Sequence, residues 1–400
     1  SDVYKRQAFV GRYFTQVPDD DLLTRSAAYL ARVATGHWRL AKARPRATPI
    51  VSIESPPDAP HTVVEIVNDD MPFLVDSVTM ELARHGLGVH LVVHPVMRVT
   101  RDENGTLTGM AGDARGTEVR AESFVHVEID RETTPHVLAS IREDLVRVLA
   151  DVRAATGDWL KMLAQLRRVV DALADHPPAI DPDDVSEGRA LLEWMGDQHF
   201  TFLGYREYEL KARGEADELL PIPGTALGLL RNASESASRS FAQLPPDVRA
   251  HARDRELLVL TKANRRSTVH RPTYLDYVGV RKFGENGEVV GEHRFVGLFT
   301  STAYNLSPID VPVLRRKVAA VVDRAGFQPA SHDQKDLIAI LETYPRDDLF
   351  WVDEETLYET ALGILQLQER RRVRIFVHLS LIHISEPTRL RRISYAVFCL

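Results

Sequence analysis

The stretch 61–131 constrains the fold of this chain more than any other. Residues 61–67 are apolar and β-branched and read as a strand. The run ends in Asn68, Asp69 and Asp70, side chains that suit a helix cap. Pro72 follows, a residue tolerated in a first helical turn. Met71, Leu74, Val75, Val78 and Leu82 then share one face at helical spacing. Arg84 and His85 suit the negative end of the helix dipole, and Gly86 suits a left-handed stop. A second strand is expected over 89–99. A third, over 122–130, alternates Phe124, His126, Glu128 and Asp130 against Val125, Val127 and Ile129. A long helix starts at 134–135, with Leu138, Ile141, Leu145, Val148 and Val152 inward. The order strand, helix, strand, strand, helix is most of a split β-α-β-β-α-β unit.

Around this unit the chain of 400 residues has room for two or three domains. A helix is expected over 20–38, and 43–60 is rich in Pro, Ser and Ala and reads as a linker. The helix over 158–173 and the proline-rich 176–184 form a connector. A second module opens with a helix over 185–198 and continues with strands at 200–210, 227–230, 257–261, 274–283 and 289–300. Residues 283–290 carry Asn286-Gly287, a hairpin signal. Residues 232–240 read as a serine-rich loop, and 311–326, 332–344 and 353–371 as helices. The expected class is α+β: a ferredoxin-like unit, then a sheet-rich α+β module, then helices.

A net charge of −7 gives no reason to expect nucleic acid or an anionic membrane as partner. No apolar run reaches membrane-spanning length, and the expected location is the cytoplasm. Residues 1–7 and about 379–400 do not continue the patterns beside them. They resemble translated sequencing-adapter read-through and are set aside, and with them Cys399, the sole cysteine. On that reading the natural chain continues beyond both ends.

Three clusters carry chemical interest. Asn68, Asp69, Asp70 and Phe73 form a candidate effector-binding turn, where helix N–H groups and acids could hold an amino acid; simple capping is the competing and favoured reading. Lys262, Arg265, Arg266, His270 and Arg271 fall in one stretch and form a candidate anion or interface contact; a solvated charge cluster fits equally. His85, His90 and His94 lack a partner acid or cysteine that would complete a structural metal set, so they read as histidines of a half-buried strand. No G-x-G-x-x-G, G-x-S-x-G or P-loop is present, and no metal or catalytic residue is assigned.

The strings FLVDSVTMELARHGLGVHLVVHPV, ESFVHVEIDRE, HFTFLGYREYEL, LVLTKANRRSTVHRPTYLDYVGV, RFVGLFTSTAY, LETYPRDDLF and GILQLQERRRVRIFV are similar to those of the large bacterial NAD-specific glutamate dehydrogenases, in family order. The resemblance implies a first ACT-like domain over 61–155, a second ACT-like region within 185–371 and the first strand of a third at 372–378. It implies a parent enzyme that uses NAD to convert L-glutamate to 2-oxoglutarate and ammonium, assembles as a homo-oligomer, and keeps its catalytic and NAD-binding residues outside this chain. The chain itself is then expected to bind no cofactor and to act on its own catalytic domain and neighbouring subunits, as a regulatory or assembly region. A stand-alone amino-acid sensor and a purely structural oligomerisation region are the alternatives. Many ACT domains have glycine after the proline of the first turn. Phe73 stands there instead, which favours packing over close approach of a ligand.

Overall fold

The structure is a computed structural model that describes residues 2–57, 59–110, 119–213, 216–231, 256–367, 375–378 and 394–397. Residues 232–240, expected as a serine-rich loop, lie outside these. The chain divides into two compact units, 1–156 with 267–272, and 157–266 with 273–400.

The first unit starts with helices α1 (Asp2–Tyr13), α2 (Asp19–Leu23) and α3 (Ala27–Leu40). Helix α1 begins within the adapter-like residues 1–7; its packing is carried by Phe9 and Tyr13. Then come β1 (Ile50–Glu54), β2 (Thr62–Asp69), α4 (Leu74–Arg84), β3 (Val89–Val93), β4 (Val96–Arg101), β5 (Leu107–Met110), β6 (Val119–Ile129) and α5 (Pro135–Gly157). The strands form one antiparallel sheet in the order β1-β2-β6-β4-β5, with β3 also on β6. The expected strand over 89–99 is thus two strands along one edge of β6. Pro95 sits at the break, where a proline cannot donate to the ladder.

The stretch 43–60, expected to be a linker, contains β1. Ile50 to Glu54 pairs antiparallel with Val67 to Val63, on the side of β2 away from β6. A split β-α-β-β-α-β unit closes there with a strand that follows its second helix. Here the closing strand precedes the unit in sequence. The run is short and framed by prolines, so only its β-branched residues betrayed it.

Alternation on β6 sends Phe124 to one face and Val125, Val127 and Ile129 to the other. The second set packs with Val64 and Ile66 beneath Leu74, Val78 and Leu82 of α4 and Ile141, Leu145 and Leu149 of α5. Phe124 packs with Val67, Leu91, Val93, Met97 and Val99 under Phe9 and Tyr13 of α1 and Ala34 and Trp38 of α3. Burying side chains of this size contributes roughly 1.5–3 kcal/mol each, which commits helices to both faces of the sheet.

The second unit begins with α6 (Trp159–Asp175) and α7 (Pro182–Trp194). Asp181 caps α7, accepting from the Asp183 N–H, with Pro182 in the first turn. A wider turn, Met195–His199, ends the helix, with Gln198 at φ 61°. Strands β7 (Phe200–Arg213), β8 (Ala216–Pro221), β9 (Leu227–Gly228), β10 (Leu258–Arg266), β11 (Tyr274–Phe283) and β12 (Val289–Phe299) follow. Their sheet is antiparallel in the order β10-β11-β12-β7-β8, with β9 on β7. Three consecutive strands as a meander differ from the order of the first sheet. The expected hairpin at 283–290 joins β11 to β12, with Gly287 at φ 75° supplying the left-handed residue of the turn.

Helices α8 (Ser301–Asn305), α9 (Leu314–Ala325), α10 (His332–Thr343), α11 (Arg346–Trp351) and α12 (Glu354–Leu365) complete the unit. They pack with α6 and α7 on one face of the sheet. Leu166, Leu191, Leu192, Leu337, Leu341 and Leu357 share a single core with Phe200, Phe202, Tyr205, Val278, Val280 and Phe295. The expected helix over 353–371 ends at Leu365, with 366–367 in a turn, and 368–371 lie outside the described residues. Strand β13 (Ile375–His378) falls at the expected 372–378 and pairs with β14 (Ser394–Val397), inside the other stretch set aside.

Candidate effector site

The ladder between β2 and β6 runs through Asn68 and Asp69, opposite Ser123 and Glu122, and the Asp70 N–H donates to Ala121 O at 3.0 Å. The three polar residues therefore finish a strand and do not cap a helix, contrary to the capping reading. Helix α4 starts only at Leu74, behind Phe73, which makes no side-chain cap bond. Asn68 Oδ1 accepts from Arg153 Nη2 and Asp69 Oδ2 from Arg153 Nη1, both at 2.6 Å, across to α5. Arg44 also binds Asp69. Burial works to raise the Asp69 carboxyl, but the hydrogen bonds from Arg44 and Arg153 outweigh it and hold it below the usual range. Asp70 Oδ1 accepts from Ser123 Oγ at 2.7 Å. The turn's polar groups thus join β2, β6 and α5, with their acids already facing donors of the chain.

Behind the turn lies a buried ion array. Glu122, fully buried, accepts from Arg44 Nη2 at 2.8 Å and from Arg101 Nε and Nη2 at 2.7 and 2.8 Å. A two-pronged guanidinium contact of this kind fixes geometry as well as charge.

Phe73 lies at φ 67°, ψ 7°, a left-handed position suited to glycine. Its ring is 4.7 Å from that of His270. His270 belongs to the first unit with the rest of 267–272, whereas Lys262, Arg265 and Arg266 belong to the second. The basic set is therefore divided between the two units. Lys262 Nζ sits 2.6 Å from Asp276 and 2.8 Å from Asp347. Arg266 lies over the Tyr274 ring at 5.2 Å. Burial lowers the Lys262 ammonium, but the two acids reverse the shift and raise it. Arg271 follows His270 in the first unit.

The three histidines have separate partners. His85 Nε2 is 3.0 Å from Asp144, close to Glu81, and these three form a cluster of metal-ligand type. Arg84 and Arg147 already contact both acids, which disfavours a further cation. His90 pairs with Asp130 at 2.7 Å and stacks on His61. His94 Nε2 lies 3.0 Å from Ser123 Oγ, whose proton goes to Asp70. The imidazole must therefore donate to the hydroxyl, which is the reverse of an activated serine nucleophile.

Sequence reasoning missed a buried charge set farther along the Phe124 face of β6. His126 is fully buried between Glu65 at 3.5 Å and Glu128 at 3.8 Å. Arg25 Nη2 donates to Glu128 at 2.8 Å, and Tyr29 donates to it as well. Burial opposes charge on His126, but the two acids prevail and raise its pKa. His37, also buried, lies 2.6 Å from Tyr13 Oη and 3.1 Å from Ile66 O, and burial lowers it to about 4. The alternation of Phe124, His126 and Glu128 was the available signal, because it put charge on a face that helices cover.

The geometry defines an α+β protein built on an ACT-like sheet unit whose first turn is engaged within the chain. Residues 9–145 match the family model of the glutamate dehydrogenase ACT1 domain, and 311–370 that of glutamate dehydrogenase helical motif 1. The chain is similar to the NAD-specific glutamate dehydrogenases of Halomonas elongata (38% identity over 379 residues), Pseudomonas aeruginosa (35% over 376) and Mycobacterium tuberculosis (29% over 372). It belongs to the family of NAD-specific glutamate dehydrogenases. The alignments cover 92%, 92% and 91% of this chain but only 23%, 23% and 21% of those relatives. Among the described residues no helix is long and apolar enough to cross a membrane.

Proposed function

We propose that this chain is a regulatory and assembly region of an NAD-dependent glutamate dehydrogenase, working through contacts with a catalytic domain and other subunits of a cytoplasmic homo-oligomer. The parent reaction is oxidation of L-glutamate by NAD to 2-oxoglutarate, ammonium and NADH. The observation that carries this reading is that the chain matches an ACT1 domain and a helical motif yet aligns with under a quarter of each relative. The chemistry of the site supports packing as the main task of the first turn, because Asn68, Asp69 and Asp70 already face donors of the chain. On this reading the chain transfers no hydride itself and binds no NAD.

Purified chain incubated with L-glutamate and NAD should give no rise in absorbance at the NADH band. Steady NADH production would overturn the proposal. Calorimetric titration with amino acids separates a sensor from a packing region: saturable heat that disappears in Asp70→Ala would make the turn an effector site.

A further inference from the structure

Residues 267–272, Ser-Thr-Val-His-Arg-Pro, are remote in sequence from the first unit but belong to it by their contacts. Ser77 on α4 is the pivot. Its hydroxyl donates to Phe73 O at 2.6 Å and accepts from the His270 N–H at 3.1 Å. Thr268 Oγ1 donates to Asp151 of α5 at 2.7 Å. Val269 is fully buried between these anchors. The His270 imidazole lies against Phe73, with Nδ1 3.4 Å from the Asp76 carboxylate. The segment is also bonded to itself: Ser267 Oγ donates to Val269 O at 2.6 Å, and the Arg271 N–H to the same carbonyl at 3.0 Å.

Two features distinguish this from ordinary loop packing. Phe73 and His270 both occupy the left-handed region, at φ 67° and 73°, although neither is glycine. Conformations of that kind persist where the surroundings over-determine them, and here the two strained residues face each other. In the described contacts the host offers acceptors to the guest, namely Ser77 Oγ, Asp76 and Asp151, while the guest brings an N–H, a hydroxyl and an imidazole.

We propose that residues 267–272 are a tethered peptide ligand of the first unit, seated in a peptide-binding site made by Phe73, Asp76, Ser77 and Asp151. The site takes a short peptide rich in donors, and the chain's own segment keeps it filled. Tethering gives that segment an effective concentration that a free peptide does not match, so the site is closed to outside peptides until the segment leaves. This does not depend on the dehydrogenase assignment, because its readout is peptide binding and not turnover.

The test uses the full chain and a variant with 267–272 replaced by Gly-Ser-Gly-Ser-Gly-Ser. A fluorescent peptide of sequence Ser-Thr-Val-His-Arg-Pro is titrated into each and followed by anisotropy. The replaced chain should bind the peptide saturably, at least tenfold more tightly than the unaltered chain, and Ser77→Ala in the replaced chain should weaken binding severalfold. Equal binding to both chains, no binding by a replaced chain of native circular dichroism, or indifference to Ser77→Ala would each overturn the proposal. If the replaced chain does not fold, amide exchange decides. Ser77→Ala in the otherwise unaltered chain should speed exchange at 269–271 and leave β10 and β11 unchanged; unaltered exchange at 269–271 would sink the idea.

Discussion

Helices of the first unit cover both faces of its sheet, whereas the apolar core of the second sheet lies on one face. Polar side chains on the first sheet consequently end up under helices. Glu122, His126 and Glu128 are buried there and meet Arg44, Arg101, Glu65, Arg25 and Tyr29. The second sheet sets one polar cluster, around Arg294, on the face opposite its core, while the buried Asp276 pairs with Lys262 on the core face. Arg294 stacks on Tyr208 at 3.9 Å and on Tyr277 at 4.9 Å, and its Nε donates to Glu292 at 2.9 Å. Gly279 leaves the room for this cluster, since a Cβ there would stand 2.9 Å from Glu292 and 3.0 Å from Tyr277. The contrast teaches that charges on an ACT-like sheet are no sign of a ligand site when helices close that face. They must be neutralised within the chain, and their partners are then occupied.

The largest effect should come from breaking the first unit's neutralisation. Glu122→Ala leaves Arg44 and Arg101 buried without their shared acid. Removing one partner of a buried ion pair costs about 3–5 kcal/mol. Urea unfolding followed by Trp38, the unit's only tryptophan, should show the loss. Glu292→Ala in the second unit, where Arg294 keeps two aromatic faces, should cost clearly less. Equal losses would remove the distinction between the two sheets.

A pH series separates two histidines of the first unit by sign. His37 is lowered by burial to about 4, below its unfolded value near 6.5. Between these values the unfolded chain holds the extra proton, so stability falls as pH drops through that window, by about 3 kcal/mol at its acid end. His126 is raised by Glu128 and Glu65 against the opposing effect of burial, so it contributes stability below about pH 6.5 that is lost as pH rises through its folded value. His37→Gln should flatten the acid limb of the stability profile, and His126→Gln the limb that begins at the unfolded value of about 6.5 and runs upward in pH. A profile in which both variants alter the same limb would show that the buried charge set is read wrongly.

The second unit offers a counterpart in Lys317 of α9. Its Nζ donates to Leu349 O at 3.1 Å, Phe350 O at 3.3 Å and Val352 O at 2.7 Å, closing the end of α11. Lys317→Met leaves these carbonyls without that donor and should cost about 1–3 kcal/mol. Burial lowers Lys317 to about 8, against the opposing acids Glu354 and Asp353. The unfolded chain binds more protons between that value and about 10.4, so native stability should rise with pH there relative to the Met variant. Chemical denaturation at pH 7.5 and pH 10 reads the change, and an unchanged gap between wild type and variant would argue against a buried ammonium.

Periodic elements were legible because burial repeats along the chain. The apolar stripe of α4, the alternation of β6 and the turn at Asn286-Gly287 each carry their own evidence within about ten residues. Strand β1 was hidden, since five residues at a sheet edge between prolines offer too little pattern. Helix α11 was hidden for a similar reason, its six residues being mostly charged or aromatic. The strand-to-helix turn between β2 and α4 falls where the pattern places it, but the partners of its side chains were not legible. Whether Asp69 caps, binds or pairs is decided by Arg44 and Arg153, which lie 25 and 84 residues away. The membership of 267–272 in the first unit is likewise a fact of tertiary contact that no local pattern records.

The smallest effect tests the turn itself. Phe73→Gly should relieve a left-handed backbone that costs a residue with a Cβ roughly 1–2 kcal/mol. It also removes the ring that faces His270 and adds glycine's freedom to the unfolded chain, which works against the gain by up to about 1 kcal/mol. The terms nearly cancel, so the net change should stay within about 1 kcal/mol of zero, as judged by urea unfolding with Trp38 as probe. The informative comparison is with Phe73→Ala, which loses the ring but keeps the strain and should be less stable than Phe73→Gly. If alanine were as stable as glycine, the left-handed geometry would not be a real constraint at this position. The contrast between a turn packed against the chain and one left open for a ligand would then rest on side chains alone.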